Sequence, residues 1–341
     1  MSGRISDEKL LEAEIRIKGK SPRIYRKLAQ KLDYASLVHL SNLAIEYENL
    51  SALVNLAGIN PLAVADVLSA SEGVQLVRQK ISENSPRVPE LYFLLRGNLS
   101  ARYKTVFRRL ARVSILKASI RLSGRGIRGE ITKRVKYTPW MADFDMEETL
   151  ENYLEKRYLT YDDIVGLDRK ESRKTGVLML DTSGSMSDKK IINAALVTAV
   201  TAYHMRNDDY GVILFNTSGT VLKPIDKKAS TPALIDSILD SEVAGFTNIS
   251  DALRKGFYEL SKVKTKKKWG ILITDGIHNY GEPPQDFAAS FPVLHVIGLP
   301  TEESIGRRTC ESLSKLGGGR YYQLQRYSDI PRILNRILKK T

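Results

Sequence analysis

From Lys174 onward the chain alternates short apolar runs with stretches of helical period, and this constrains its fold more than any other feature. Val177-Leu178-Met179-Leu180, Tyr210 to Phe215, Trp269 to Thr274 and Pro292 to Leu299 are strand-length apolar runs, with shorter ones at Gly219 to Pro224 and Arg320 to Leu324. Helical patterns separate them, from Asp188 to about Arg206, Pro232 to Asp240, Ile249 to Val263 and Glu302 to Leu316, and a last one covers Ser328 to Lys339. Strands that are apolar on both faces must be covered on both faces, so the pattern predicts an α/β domain with a mostly parallel sheet flanked by helices. Ligands in such folds bind at the carboxyl ends of the strands.

The preceding half reads differently. From Asp7 to Leu122 apolar residues recur at helical spacing, as in Leu28, Leu32, Leu37, Leu40 and Leu43, with prolines at positions 22, 61, 86 and 89 as punctuation; four or five helices fit. Asn60-Pro61 before LAVADVLSASEGVQLVRQKI has the form of a capped helix start with proline in the first turn. Ser123 to Thr138 places Gly124, Gly126 and Gly129 among basic residues. The spacing fits GxGxxG, but a basic helix rather than a strand precedes it, which favours a linker over a dinucleotide site. Asp143 to Glu151 is acidic and opens a helix in DFDMEETLENYL, either as a solvated helix start or as a patch that folds back on the basic segment. The expected division is a helical region over 1–122, a basic linker with an acidic helix over 123–173, and the α/β domain over 174–341.

Fifty-three basic residues against thirty-nine acidic give a net charge of +14, which bears on partners rather than on fold. Between Ala101 and Tyr137 twelve Lys and Arg face the single Glu130, so most of the excess sits in one segment. Arg102, Lys104, Arg108, Arg109, Arg112, Arg125, Arg128, Lys133 and Arg134 are therefore candidates for contact with nucleic acid or with an acidic protein, and Tyr103, Phe107 and Tyr137 lie among them. The one cysteine, Cys310, cannot form an internal disulfide or a zinc cluster. No apolar run approaches the roughly 20 residues that cross a bilayer, and the first residues lack the apolar centre of a signal peptide. These features predict a cytoplasmic protein without a membrane partner. There is no GxxxxGK[ST] loop, since Glu14 stands where Gly19-Lys20-Ser21 would need a glycine, and no HExxH or GxSxG motif, so an enzyme of those types is not expected.

Three segments fall at predicted carboxyl ends of strands or in the loops beside them: Asp181-Thr182-Ser183-Gly184-Ser185, Gly245-Phe246-Thr247-Asn248 and Thr274-Asp275-Gly276. Together they offer two serine hydroxyls, one threonine hydroxyl and two carboxylates. That set suits a hard divalent cation, which takes about six oxygens in an octahedron and keeps several waters. His278, close behind Asp275, is either a rim residue of this site or an ordinary surface histidine, and Ser187 or Asp188 is placed to cap the following helix.

The pattern DxSxS, then a distant Thr, then a distant Asp resembles the metal ion-dependent adhesion site of von Willebrand factor A domains, and the resemblance extends over about Lys174 to Thr341. It implies a Rossmann-like A domain binding Mg²⁺ (or Mn²⁺), with Ser183, Ser185 and Thr247 touching the metal and Asp181 and Asp275 acting largely through water. It also implies a protein partner that donates an Asp or Glu carboxylate to the ion. The layout of helical region, basic linker, DFDMEETLENYL and A domain is similar to CoxE-like A-domain proteins paired with MoxR-type AAA+ ATPases, in which the A domain serves as an adaptor or co-chaperone. The alternative is an RNA-binding protein of Ro-like layout that uses the basic 101–137 segment.

Overall fold

The computed structural model describes residues 6–19, 21–82, 87–123, 130–139, 141, 144–170, 175–186, 188–205, 209–265, 267–301, 303–325 and 329–340. Among the described residues the N-terminal region is helical, with eight helices where periodicity suggests four or five: α1 (Asp7–Arg16), α2 (Pro22–Ala29), α3 (Tyr34–Glu46), α4 (Leu50–Ala57), α5 (Pro61–Leu68), α6 (Ser71–Ser82), α7 (Arg87–Leu95) and α8 (Ala101–Ser123). The difference lies in the caps. Side chains of Ser6, Asp33, Asn49 and Asn60 accept hydrogen bonds from the backbone N–H groups of Lys9, Ser36, Ala52 and Ala63. Asp33, Asn49 and Asn60 each fix a further helix start inside what reads as continuous apolar periodicity. The run after Pro61 breaks into α5 and α6.

The segment expected to be a linker with an acidic helix contains more order than that. β1 (Glu130–Lys136) pairs antiparallel with β2 (Val165–Lys170), and between them lie α9 (Met146–Lys156) and a 3-10 turn at Tyr161–Asp163. Neither strand has an apolar run, which is why neither is visible in the hydrophobic pattern. Gly124, Gly126 and Gly129 lie outside the described residues.

The C-terminal region is the α/β domain that the strand alternation predicts. It contains β3 (Thr175–Asp181), α10 (Asp188–His204), β4 (Asp209–Phe215), β5 (Gly219–Lys223), α11 (Thr231–Leu239), α12 (Ile249–Ser261) and β6 (Lys268–Thr274). After these come α13 (Gln285–Ala289), β7 (Leu294–Gly298), α14 (Ser304–Leu316), β8 (Gly318–Gln323) and α15 (Ile330–Lys340). The sheet order is β5-β4-β3-β6-β7-β8, parallel except for β5, which turns back antiparallel on β4.

Central strand β3 is buried at every residue, and its side chains divide by parity. Leu178 and Leu180, with Ile271 and Ile273 of β6, pack into a core shared with α10 and the N-terminal helices. Val177, Met179 and Leu272 face the other way, toward α12 and α14. The helical region is therefore built onto one face of the α/β domain, chiefly through α8 lying along α10. Polar contacts reinforce the seam. Arg112 pairs with Asp236, Arg108 with Asp240, and the Tyr92 hydroxyl donates to Oδ1 of Asp240 at 2.5 Å.

Candidate metal centre

Parallel register sets the site. Leu180 lies opposite Ile273, so the next residues of the two strands, Asp181 and Thr274, meet at their carboxyl ends. Thr274 Oγ1 donates to Oδ2 of Asp181 at 2.5 Å, and the backbone N–H of Ser183 donates to Oδ1 at 2.9 Å. The second bond curls the chain back over its own aspartate and leaves the hydroxyl oxygens of Ser183 and Ser185 3.3 Å apart. Ser183 and Ser185 alternate with Thr182 and Gly184, and their two hydroxyls face the same way.

The other two segments are tied to this turn. The Gly184 N–H donates to the Gly245 carbonyl at 3.1 Å and the Ala244 N–H to the Thr182 carbonyl at 3.2 Å, which draws the loop before α12 against the Ser183 turn. Thr247, buried, donates its N–H to Oδ1 of Asn279 at 2.7 Å, and its carbonyl accepts from the N–H groups of Asn279 and Tyr280. That binds the Thr247 loop to the segment following Asp275. Gly276 has φ +80°, and a Cβ there would stand 2.1 Å from the Gly306 carbonyl oxygen, so the turn after Asp275 requires glycine twice over.

Electrostatics mark the place as short of positive charge. Asp181 and Asp275 are both shut off from solvent. Burial, with a further contribution from the Asp275 charge, raises the Asp181 carboxyl to about 6 despite the hydrogen bonds from Ser183 and Thr274. One cation already serves Asp275: Lys190, in the first turn of α10, places Nζ 2.7 Å from its Oδ2 and 3.0 Å from the Ser185 carbonyl. Two carboxylates and one ammonium leave a buried net negative charge, which costs several kcal/mol unless a further cation compensates it.

These residues fit a small divalent cation. Adjacent oxygens of an octahedron with bonds of about 2.1 Å lie about 3 Å apart, close to the Ser183 to Ser185 separation. Both oxygens of Asp181 are engaged by protein donors, so this carboxylate is placed to act on the ion from outside rather than as a direct ligand. Gly184 is exposed and Ser185 half-buried, so the site opens to solvent on the side of the serine turn.

The sequence profile described as von Willebrand factor type A domain matches residues 177–278, which span β3 through the segment beyond Asp275. This segment is a von Willebrand factor type A domain. Solved structures similar to the chain include an aerotolerance-related membrane protein from Bacteroides fragilis, 18% identical with TM-score 0.42, covering 49% of this chain and 100% of that one. Another is a von Willebrand factor type A protein from Catenulispora acidiphila, 17% identical with TM-score 0.39, covering 51% and 43%. A third is proximal thread matrix protein 1 of the mussel byssus with a zinc-occupied MIDAS motif, 19% identical with TM-score 0.40, covering 49% and 48%. No curated protein matches the chain.

The three segments that carry the candidate ligands thus meet at one end of the sheet. Sequence reasoning missed Lys190 and Asn279, because neither belongs to the ligand pattern, and it missed an exposed aromatic pair. Phe246 and Tyr280 stack with ring centroids 5.8 Å apart, one from each of the two loops joined at Thr247. His278 is neither alternative in pure form: its Nδ1 accepts from the Ile249 N–H at 3.3 Å at the start of α12, and burial lowers its pKa. Cys310 lies buried behind the site, its thiol pushed up to about 12 by burial and by the charges of Asp275 and Asp181, so it is chemically quiet. Ser187 and the side chain of Asp188 lie outside the described residues.

The basic candidates do not form one surface. Arg108 and Arg112 are turned into the seam with α11, and Arg134 pairs with Asp145 at 2.9 Å and Glu148 at 2.8 Å, so the acidic patch does fold back on the basic segment. Arg102, Lys104 and Arg109 stay exposed on α8. Arg125, Arg128 and the side chain of Lys133 lie outside the described residues. No helix among the described residues is long and apolar enough to cross a membrane.

Proposed function

We propose that the A domain is a metal-dependent protein-interaction module. Ser183, Ser185 and Thr247 hold one Mg²⁺ or Mn²⁺ directly, while Asp181 and Asp275 hold it through water. The observation that carries this reading is the convergence of two hydroxyls 3.3 Å apart beside two buried carboxylates, of which only Asp275 is paired with an ammonium, that of Lys190. Neutral hydroxyl ligands leave the ion most of its charge, and a hard cation with a free position attracts a carboxylate, here an Asp or Glu of the partner. Binding rather than catalysis suits the surroundings, since both oxygens of Asp181 and both of Asp275 are already engaged by protein donors instead of being available as a general base.

The partner system we propose is a MoxR-type AAA+ ATPase, for which this chain is the adaptor or co-chaperone. Support comes from the similarity in layout to CoxE-like proteins and from the lack of a nucleotide-binding loop in the sequence, which leaves ATP hydrolysis to a protein acting in trans. RNA binding is the second reading. Its support is the exposed trio Arg102, Lys104 and Arg109, and the internal pairing of Arg108, Arg112 and Arg134 counts against it.

Affinity capture with the full chain in Mg²⁺, in EDTA, and as Ser183→Ala and Asp181→Ala separates the two. A protein partner present in the first sample and lost from the others is the expected result. RNA retained in all of them, and released by salt, would transfer the function to the basic segment.

A further inference from the structure

Twenty large apolar side chains are exposed among the described residues, and eight of them fall between Phe144 and Tyr161. That concentration has a specific cause in the way α9 is seated. Thr149 is buried, with its Oγ1 accepting from the Val165 N–H at 3.1 Å, Asn152 donates to the Asp163 carbonyl at 2.8 Å, and Lys156 pairs with Asp163. These three lie on one side of the helix and fasten it to β2 and the 3-10 turn. The adjoining side, leading away from Thr149, carries Met146, Leu150, Tyr153 and Leu154 at helical spacing, and Met146 and Leu154 are 70% and 66% exposed. Tyr158 and Leu159, just beyond the helix end, are exposed as well.

An amphipathic helix normally buries its apolar stripe. Here the polar stripe is fastened inward and the apolar stripe faces water. The substantial contacts of this unit are internal, β1 with β2 and α9 with β2 and the turn, so nothing else among the described residues covers it. Contiguous exposed apolar surface rimmed by polar residues marks an interaction site.

The charges select the occupant. Glu147, Glu151 and Glu155 border the apolar stripe, are exposed, and make no ion pair with a described residue. The nearby cations are spent internally: Arg134 on Asp145 and Glu148, Lys136 on Asp162, and Lys156 on Asp163, with Arg157 the exception. In a chain of net charge +14 this is an acidic, apolar island. A second copy does not suit it, because a two-fold pairing of α9 sets Glu151, at the midpoint of the helix, against its own counterpart. An anionic lipid surface is repelled by the same three glutamates.

We propose that the exposed face of α9 with Tyr158 and Leu159 is a docking surface for an amphipathic helix of another protein, one whose apolar stripe is bordered by lysine or arginine. This surface is separate from the metal centre and does not rest on the metal-dependent reading. The two sites have opposite preferences: the metal centre takes an acidic group and α9 takes a basic, apolar helix.

The test uses the full chain and two labelled synthetic helices, identical in their leucine stripe but with lysine flanks in one and glutamate flanks in the other, followed by fluorescence anisotropy. The lysine helix is expected to bind about tenfold or more tightly than the glutamate helix. Binding should be equal in Mg²⁺ and EDTA, and should slow hydrogen exchange over residues 146–159. Leu150→Asp with Leu154→Asp should weaken it about tenfold or more, with an unchanged circular dichroism spectrum, whereas Tyr258→Asp, at an exposed aromatic elsewhere, should not. Equal affinity for the two helices, or no loss in the double variant, would overturn the proposal. So would a dimer in light scattering, or sedimentation with anionic vesicles, that the double variant abolishes, since these name a second copy or a membrane as the occupant.

Discussion

The ammonium of Lys190 sits 2.7 Å from the same Asp275 carboxylate that the proposed metal needs, in a position only 17% exposed. A fixed positive charge beside a cation site repels the ion, and at the few ångströms involved one unit charge is worth up to about 4 kcal/mol in a partly screened setting. Lys190 also supports the fold, because Asp275 would otherwise be buried without a counter-charge. Lys190→Met should therefore bind Mn²⁺ on the order of tenfold more tightly by isothermal titration. It should also melt several degrees lower than the wild type in EDTA, with that loss restored by Mn²⁺. Unchanged affinity would separate Lys190 from the metal site.

Gly276 is held at φ +80° against the Gly306 carbonyl at the start of α14, and Gly306 approaches the Asp275 carbonyl so closely that its own Cβ would lie 2.3 Å away. Gly276→Ala is expected to cost about 2 kcal/mol or more in urea denaturation, from left-handed backbone strain and the collision together. Because the displaced segment carries Asp275, metal affinity should fall as well. A wild-type denaturation midpoint would refute the close approach.

His295 in β7 accepts a hydrogen bond from the Arg320 N–H at 3.1 Å, and its Nε2 is buried without a partner. Burial, aided by the Arg320 charge, lowers its pKa to about 4. The unfolded chain therefore takes up a proton below about pH 6.5 while the folded chain does not, so the contribution is intact above pH 6.5, is lost on acidification, and levels off near pH 4. Between pH 7.5 and pH 5 this one group should remove about 2 kcal/mol. Urea denaturation at the two values should show that loss in the wild type and a loss smaller by about that amount in His295→Leu, whatever the absolute stability of the variant.

Asp236 and Asp240 anchor the helical region to α11 through Arg112, Arg108 and Tyr92. Replacing both with alanine strands two arginines in a half-buried seam and should reduce stability by about 2 to 4 kcal/mol. Limited proteolysis should then cut first in the connections around α8. Equal resistance would mean that the apolar contact of α8 with α10 holds the seam without them.

Much of the α/β domain was legible because its strands are apolar on both faces, a signal that needs no partner to be read: β3, β4, β6 and β7 and the helices α10, α11 and α12 stand within a few residues of their expected places, whereas the short α13 between β6 and β7 was not expected. The gathering of Asp181, Ser183, Ser185, Thr247 and Asp275 followed from the rule that parallel strands present their carboxyl ends together. Tertiary structure decided the rest, through partners distant in sequence. β1 and β2 are ordinary polar segments until they pair across an intervening helix, and the arginines of the basic segment were counted as free charge until α11 brought Asp236 and Asp240 to two of them. Lys190 is one of many lysines until the start of α10 delivers it to Asp275. The sequence records that α9 is amphipathic. Only the hydrogen bonds of Thr149 and Asn152 decide which stripe turns inward, because hydrophobicity sets a preference that specific polar contacts, made elsewhere in the chain, can reverse.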